Sequence, residues 1–334
     1  MQPAPRPSTF RRIVRVVLPL VFVALAFLIV YNRQALQDRL VLWQYQPPAE
    51  IVELADRSSL SNYGRDLFYV TQPELHDKSS FTSVCKNLGD EESNVLGCFN
   101  GQRIYIFNVT DPELEGVREV TAAHEMLHLA YQRLDVKQKE RVNNLIEQQL
   151  RTSVEPHVKD LIAVYERLEP GQVLNEMHSI LATEQRSLLP ELEDYFTQYF
   201  KDRNTVVGLA ETYRSVFDSL KKQQQALADE LDALAEQINS ETAQLNAQIE
   251  NYNTDVAVFN QRAQSGAMTR EEFDNERAAL NEDRAALEAA NNDNRQKRTT
   301  YDAKRQQFES LSVEATRLQK SIDSRPVDAA ESVE

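Results

Sequence analysis

Residues His124-Glu125-Met126-Leu127-His128 read H-E-x-x-H, the most definite chemical statement in the chain. They fall inside Val117 to Leu134, a run that patterns as a helix. Residues four apart share a helix face, so both imidazoles can reach one metal ion. The glutamate between them then lies beside the metal's open position, where a general base is needed. The competing reading is a helix whose histidines merely cap or pack.

Such a pair needs a scaffold, and the flanking sequence supplies one. Arg103 to Val109 is dense in aromatic and β-branched residues and predicts a strand, entered through Gly101 and ended by Thr110-Asp111-Pro112. Asp111 to Gly116 links it to the H-E-x-x-H helix. Helices are expected over Lys137 to Arg151, Pro156 to Leu168, Gln172 to Leu189 and Pro190 to about Phe200, with a break at Glu169-Pro170-Gly171. Upstream, Ile51 to Arg57 reads as a short helix and Leu67-Phe68-Tyr69-Val70 as a strand. Residues 32–204 thus read as a small α+β domain of few strands and mostly helices.

Strand, short link and a helix bearing His124-Glu125-x-x-His128 together resemble the zincin superfamily of metallopeptidases. The resemblance implies a Zn2+ cofactor, Glu125 as the base, and Ile104 to Asn108 as a sheet-edge strand that binds extended substrate. Leu129 to Leu134 lack the Gly and third His of the metzincin branch. The gluzincin branch takes its third ligand from a Glu on a later helix, often preceded by Asn, and Asn175-Glu176 fits. The implied metal ligands are therefore His124, His128 and Glu176. His178 and Glu184 on the same helix remain open as alternatives. Ile180 stands where that branch often carries an acidic residue, and a wheel drawn through Leu174, Met177 and Leu181 turns Glu176 away from the apolar stripe. A donor to the developing oxyanion is also implied, with Tyr131, Tyr165, Tyr195 and His178 as candidates.

The ends of the chain bear on where this chemistry happens. Residues 1–12 form a Pro- and Arg-rich tail. Residues 13–31 are uncharged from Val16 onward and approach the roughly 20 residues that span a bilayer. Arginines precede the run, so a transmembrane helix with a cytoplasmic amino terminus is expected, placing the rest of the chain outside the cell membrane. Ala24-Leu25-Ala26 resembles a signal-peptide cleavage site, but Phe27 to Tyr31 carry the apolar run past it. Export would favour a disulfide between Cys85 and Cys98. The net charge of −15 argues against a nucleic-acid partner.

From residue 205 to 323 the pattern becomes that of a coiled coil of two long helices. Tyr213, Phe217, Leu220, Gln224, Leu227, Leu231, Leu234 and Ile238 follow alternating steps of four and three. The next step, to Thr242, is four again, a stutter. Ser265-Gly266-Ala267-Met268 interrupts the helix, and Thr269-Arg270-Glu271-Glu272 has the form of a capping box that starts another. A hairpin is expected, with self-association or a protein partner in reach, and a loose tail over 324–334. The functional expectation is a membrane-anchored, extracytoplasmic zinc metallopeptidase acting on a protein or peptide. Two alternatives stand beside it: a non-enzymatic envelope coiled-coil scaffold with an inactive zincin-like domain, and a zinc hydrolase acting on cell-wall amides.

Overall fold

The structure is a computed structural model that describes residues 27–85 and 95–324, together with Leu18 and Phe22. The chain forms two compact units. The first runs to Tyr213 and includes the chain again from Ile322; the second is Arg214–Ser321.

In the first unit, helices α1 (Arg33–Gln44), α2 (Ala49–Arg57) and α3 (Asn62–Val70) lead to strand β1 (Glu74–His76) and helix α4 (Lys78–Val84). Strands β2 (Gly97–Phe99) and β3 (Ile104–Phe107) follow. A 3-10 turn, Pro112–Leu114, precedes α5 (Val117–Gln132), α6 (Val136–Thr152), α7 (Pro156–Leu168), α8 (Val173–Glu184) and α9 (Pro190–Phe196). Helix α10 begins at Arg203. The sheet order is β1-β3-β2, with β1 parallel and β2 antiparallel to β3.

Helix α5 is the axis of this unit. Val120, Ala122, Ala123, Met126, Leu127, Leu129 and Ala130 are buried in one core with Leu67 and Phe68 of α3, Ile104 and Ile106 of β3, and Met177, Ile180 and Leu181 of α8. Gly116 starts α5 at φ +99°, a conformation that disfavours side chains, and a Cβ there would stand 2.9 Å from Leu209 Cβ. Helix α8 is fixed at its other end by Arg203, which is 3% exposed. The Arg203 guanidinium donates to the carbonyls of Ala182 (3.2 Å), Gln185 (2.7 Å) and Arg186 (2.9 Å) and pairs with Glu193 at 2.7 Å. It thereby satisfies carbonyls that the end of a helix leaves open.

Several expectations are corrected. The α+β zincin-like domain behind a transmembrane helix is not the fold: 78% of the described residues are helical, and the sheet among them has three strands, of three, three and four residues. Most of the apolar side chains that read as domain core are spent on helix-to-helix packing, which leaves little for a sheet. Among the described residues no helix is long and apolar enough to cross a membrane. The single-pass anchor over 13–31 is corrected accordingly, together with the membrane partner and the inside-to-outside placement at the cell membrane. The described end of that run, residues 27–31, gives way to Asn32 and to the polar helix α1, whose Asp38 accepts from Arg133 at 2.7 and 2.9 Å. Apart from Leu18 and Phe22, residues 13–26 lie outside the described residues, as do the expected tail over 1–12 and, apart from Ser324, the expected tail over 324–334.

Leu67 to Val70, expected as a strand, is the end of helix α3. Ser61 caps that helix by accepting from Gly64 N, and Gly64, Leu67 and Phe68 are buried on one helical face. The strand placed at the sheet edge, Ile104 to Asn108, is instead the central strand β3. The edge beside α5 is β2, whose Cys98 is joined to Cys85 after α4.

The second unit consists of α10 from Arg214 to Gln264 and α11 (Arg270–Ile322) as far as Ser321. Gly266 adopts φ +70° in the break, and Thr269 and Glu272 exchange hydrogen bonds as a capping box (Thr269 N to Glu272 Oε2 2.7 Å, Glu272 N to Thr269 Oγ1 3.2 Å). Partners descend on α11 as they ascend on α10: Glu230 meets Lys304, Glu241 meets Lys297, and Phe259 meets Phe273. The two helices are therefore antiparallel.

Candidate metal centre

Helix α5 presents Val120, Thr121, His124, Glu125, His128, Tyr131 and Gln132 to one cleft of about 640 Å³. These residues recur at three- and four-residue steps, so they form one stripe. Facing them are Tyr165 of α7 and Asn175 and Glu176 of α8, with Val95 to Phe99 forming the β2 wall.

His124, His128 and Glu176 converge, their candidate ligand atoms all within 4.8 Å of one another. Glu176 Oε2 lies 3.4 Å from His124 Nε2, and Oε1 lies 3.6 Å from His128 Nε2. The other nitrogen of His128, Nδ1, is 3.2 Å from Asn175 Oδ1. That bond fixes the ring so that Nε2 faces Glu176, the outer-shell arrangement that orients metal-ligating histidines. Two imidazoles and a carboxylate, all partly buried, match the three-ligand set of a catalytic zinc site.

Glu125 is 6% exposed and sits under β2. Burial pushes its carboxyl up to about 7; His128 opposes the rise and Glu176 adds to it. Gly97 allows this approach. A Cβ on it would lie 2.5 Å from Thr121 Cγ2 and 2.9 Å from Glu125 Oε1, so the strand can pass over α5 only with no side chain at that point.

The alternative ligands go elsewhere. His178 is fully buried, its Nε2 2.9 Å from the Tyr195 hydroxyl, and its ring packs among Tyr131, Tyr195, Phe196 and Tyr199. Burial drives its pKa down to about 3, which keeps it neutral. Glu184 Oε2 lies 3.6 Å from His157 Nε2, outside the His124–His128–Glu176 cluster.

Of the four oxyanion-donor candidates, Tyr165 stands at the centre. Its hydroxyl bonds Glu176, and burial followed by the charges of Glu176 and Glu125 raises its pKa. Tyr131 lines the cleft but donates to Asn143 Oδ1 at 2.8 Å. Tyr195 is engaged with His178 and Tyr199. Sequence reasoning missed β2 as the wall over Glu125, and Asn175 as the partner of His128; the only signal for the former was a glycine next to a cysteine.

No family model matches the chain, and neither the curated proteins nor the solved structures contain a match to it. Neither the label metallopeptidase nor membership of the zincin superfamily draws support from a relative. The chemistry is therefore argued from the cleft's own residues.

Proposed function

We propose that the first unit is a zinc-dependent hydrolase of peptide bonds. The observation that carries this reading is the convergence of His124, His128 and Glu176 beside the buried carboxyl of Glu125 in one cleft. These three residues would hold the ion, and the donor set of two nitrogens and one carboxylate suits zinc. When bound, zinc supplies Lewis acidity, polarising a carbonyl and lowering the pKa of water.

Glu125 takes the proton of the attacking water on its carboxylate and passes it to the leaving amine. In the metal-free protein burial raises this carboxyl, and a neighbouring dication would favour its ionised form, the form that accepts the proton. Asn175 holds His128 in the tautomer that turns Nε2 to the cleft, and Tyr165 orients Glu176 by donating to it. The outer edge of β2 has no strand partner among the described residues and lines the same cleft, so an extended peptide can pair with its backbone.

The test loads the full chain with zinc and offers a mixed peptide library beside cell-wall amide fragments. The expected result is cleavage of peptides that Glu125→Gln reduces at least a hundredfold while zinc stays bound. Zinc-loaded protein that cleaves nothing beyond the Glu125→Gln background would overturn the reading. Cleavage of the cell-wall fragments alone would move the substrate class and keep the chemistry.

A further inference from the structure

The cleft extends past the metal centre along α5. At 1.5 Å per residue, Tyr131 stands about 5 Å further along the helix axis than His128. There the lining includes Lys139 of α6. Among the described lining residues Lys139 is the only lysine or arginine. Its Nζ lies 4.6 Å from the centroid of the Tyr131 ring, a cation–π contact. The ring is itself fixed, by the hydroxyl's bond to Asn143 and by the His178 ring 5.3 Å away. The backbone of Lys139 is held in the first turn of α6, where it donates to Asp135 O at 2.8 Å just after the Asp135–Gln138 capping box. An ammonium group thus rests on a rigid platform inside a cleft.

Lys139 has no ion pair among the described residues, whereas Arg57, Arg133, Arg203 and Lys297 each meet a carboxylate. The carboxylates of the cleft have other places. Glu176 and Glu125 belong to the metal centre, Glu184 lies against His157, and the Glu169 charge bears on Tyr165. A face-on ring leaves the ammonium's remaining protons free for an acceptor that enters the cleft.

We propose that Lys139 and Tyr131 form a carboxylate-binding subsite. Peptides carrying an acidic side chain, or a free terminal carboxylate, on that side of the metal are then the preferred substrates. The proposal rests on the reading of the cleft as a peptide site and deepens it by naming the substrate class. A charge-assisted bond in a half-enclosed cleft gives a preference of about tenfold over the matching amide.

The experiment uses the full zinc-loaded chain and peptides identical except for Glu, Gln or Lys at one scanned position, each with a free or an amidated carboxyl terminus. Two ratios are read: kcat/KM in the wild type, and Kd in zinc-loaded Glu125→Gln, where binding is measured without turnover. A tenfold preference for Glu over Gln locates a side-chain subsite, and the same preference for the free terminus locates a terminal one. Either should collapse to about one in Lys139→Gln and invert in Lys139→Glu, with circular dichroism and zinc content unchanged. Ratios near one in the wild type, a preference for Lys, a preference that survives Lys139→Gln, or no peptide bound at all would overturn the subsite. Peptides cleaved without discrimination would remove the subsite and spare the hydrolase; discrimination in binding with no cleavage would do the reverse.

Discussion

Replacing Glu125 by Gln should stabilise the metal-free protein increasingly as pH rises above 4.5, and in full above about 7. Folding moves this carboxyl from the ordinary value of 4.5 to about 7, chiefly because it is buried under β2. Below pH 4.5 the group is protonated in the folded and the unfolded chain alike, and folding is indifferent to it. Between 4.5 and 7 the folded chain keeps a proton that the unfolded chain has lost, so stability falls as pH rises. Above 7 the loss is complete. At about 1.4 kcal/mol per pH unit, the interval amounts to about 3 kcal/mol. Glutamine is nearly isosteric and does not titrate, so it escapes the loss. Groups common to both proteins cancel in the difference. The assay is urea unfolding of chelator-treated wild type and Glu125→Gln from pH 4.5 to 8.5, followed by tyrosine near-ultraviolet dichroism. The stability of the variant relative to the wild type should grow by about 3 kcal/mol across that range. A difference that stays constant within 1 kcal/mol would refute the argument that burial of an ionisable carboxyl is what β2 imposes. Saturating zinc should narrow the gap, because a neighbouring dication favours the ionised form.

Three further outcomes follow from the geometry. Competition with a chromophoric chelator should count about one zinc per chain, abolished by Glu176→Ala or His128→Ala and retained by Glu184→Gln; Asn175→Ala should weaken it about ten- to a hundredfold, as loss of an outer-shell partner does. Arg203→Met leaves the carbonyls at the end of α8 and the Glu193 carboxylate without their donor, and denaturant titration should show a loss of about 3 kcal/mol. In the second unit Asn294→Leu should raise the thermal midpoint, by an amount corresponding to about 1–2 kcal/mol, and loosen the pairing register. The register is read by the cross-linking yield of a Gln224→Cys/Ser312→Cys pair, whose native side chains are hydrogen-bonded at 3.2 Å; an undiminished yield would separate Asn294 from register.

The centre of the site was legible because its essential part is local. His124, Glu125 and His128 need only a helix to share a face, and five residues state it. The third ligand, a carboxylate, is 48 residues away from His128, and only the Asn-Glu pair pointed to it. The helical wheel pointed elsewhere for a physical reason. Every residue of α8 from Met177 to Thr183 is buried, so its apolar stripe has no polar counterpart against which a side can be judged. Glu176 stands just before that run, where α8 still borders the cleft. Strand β2 left only the Gly97-Cys98 pair as a sign in the sequence. It is three residues long, and pairing with β3 and the Cys85–Cys98 bridge hold it in place; all of that is tertiary. The same holds for the tyrosines, since Tyr165 and Tyr195 differ only in what the fold turns them toward.

The misread strand and the misread membrane helix share a cause, which the second unit avoids. The expectations for Leu67 to Val70 and for residues 13–31 rest on the character of their side chains, and side-chain character does not specify a partner. A capped helix could bury Leu67 and Phe68 as well as a strand could, and tertiary packing decided. Heptads behave differently, because period and partner are one statement: a seam at 3.5 residues exists only to meet another helix. Even the defect in that seam carried information. The extra step of four from Ile238 to Thr242 brings a hydroxyl to the interface, and the opposing helix holds Asn294 at its heptad position there. In the structure Asn294 is 5% exposed, donates to Ile238 O at 3.3 Å, and accepts from Arg298 Nε at 3.0 Å and from Thr242 Oγ1 at 3.4 Å. The irregularity on one helix and the polar residue on the other are thus two halves of one buried layer. A shift by one heptad would strand Asn294 against apolar side chains, so the layer selects the register at some expense in stability.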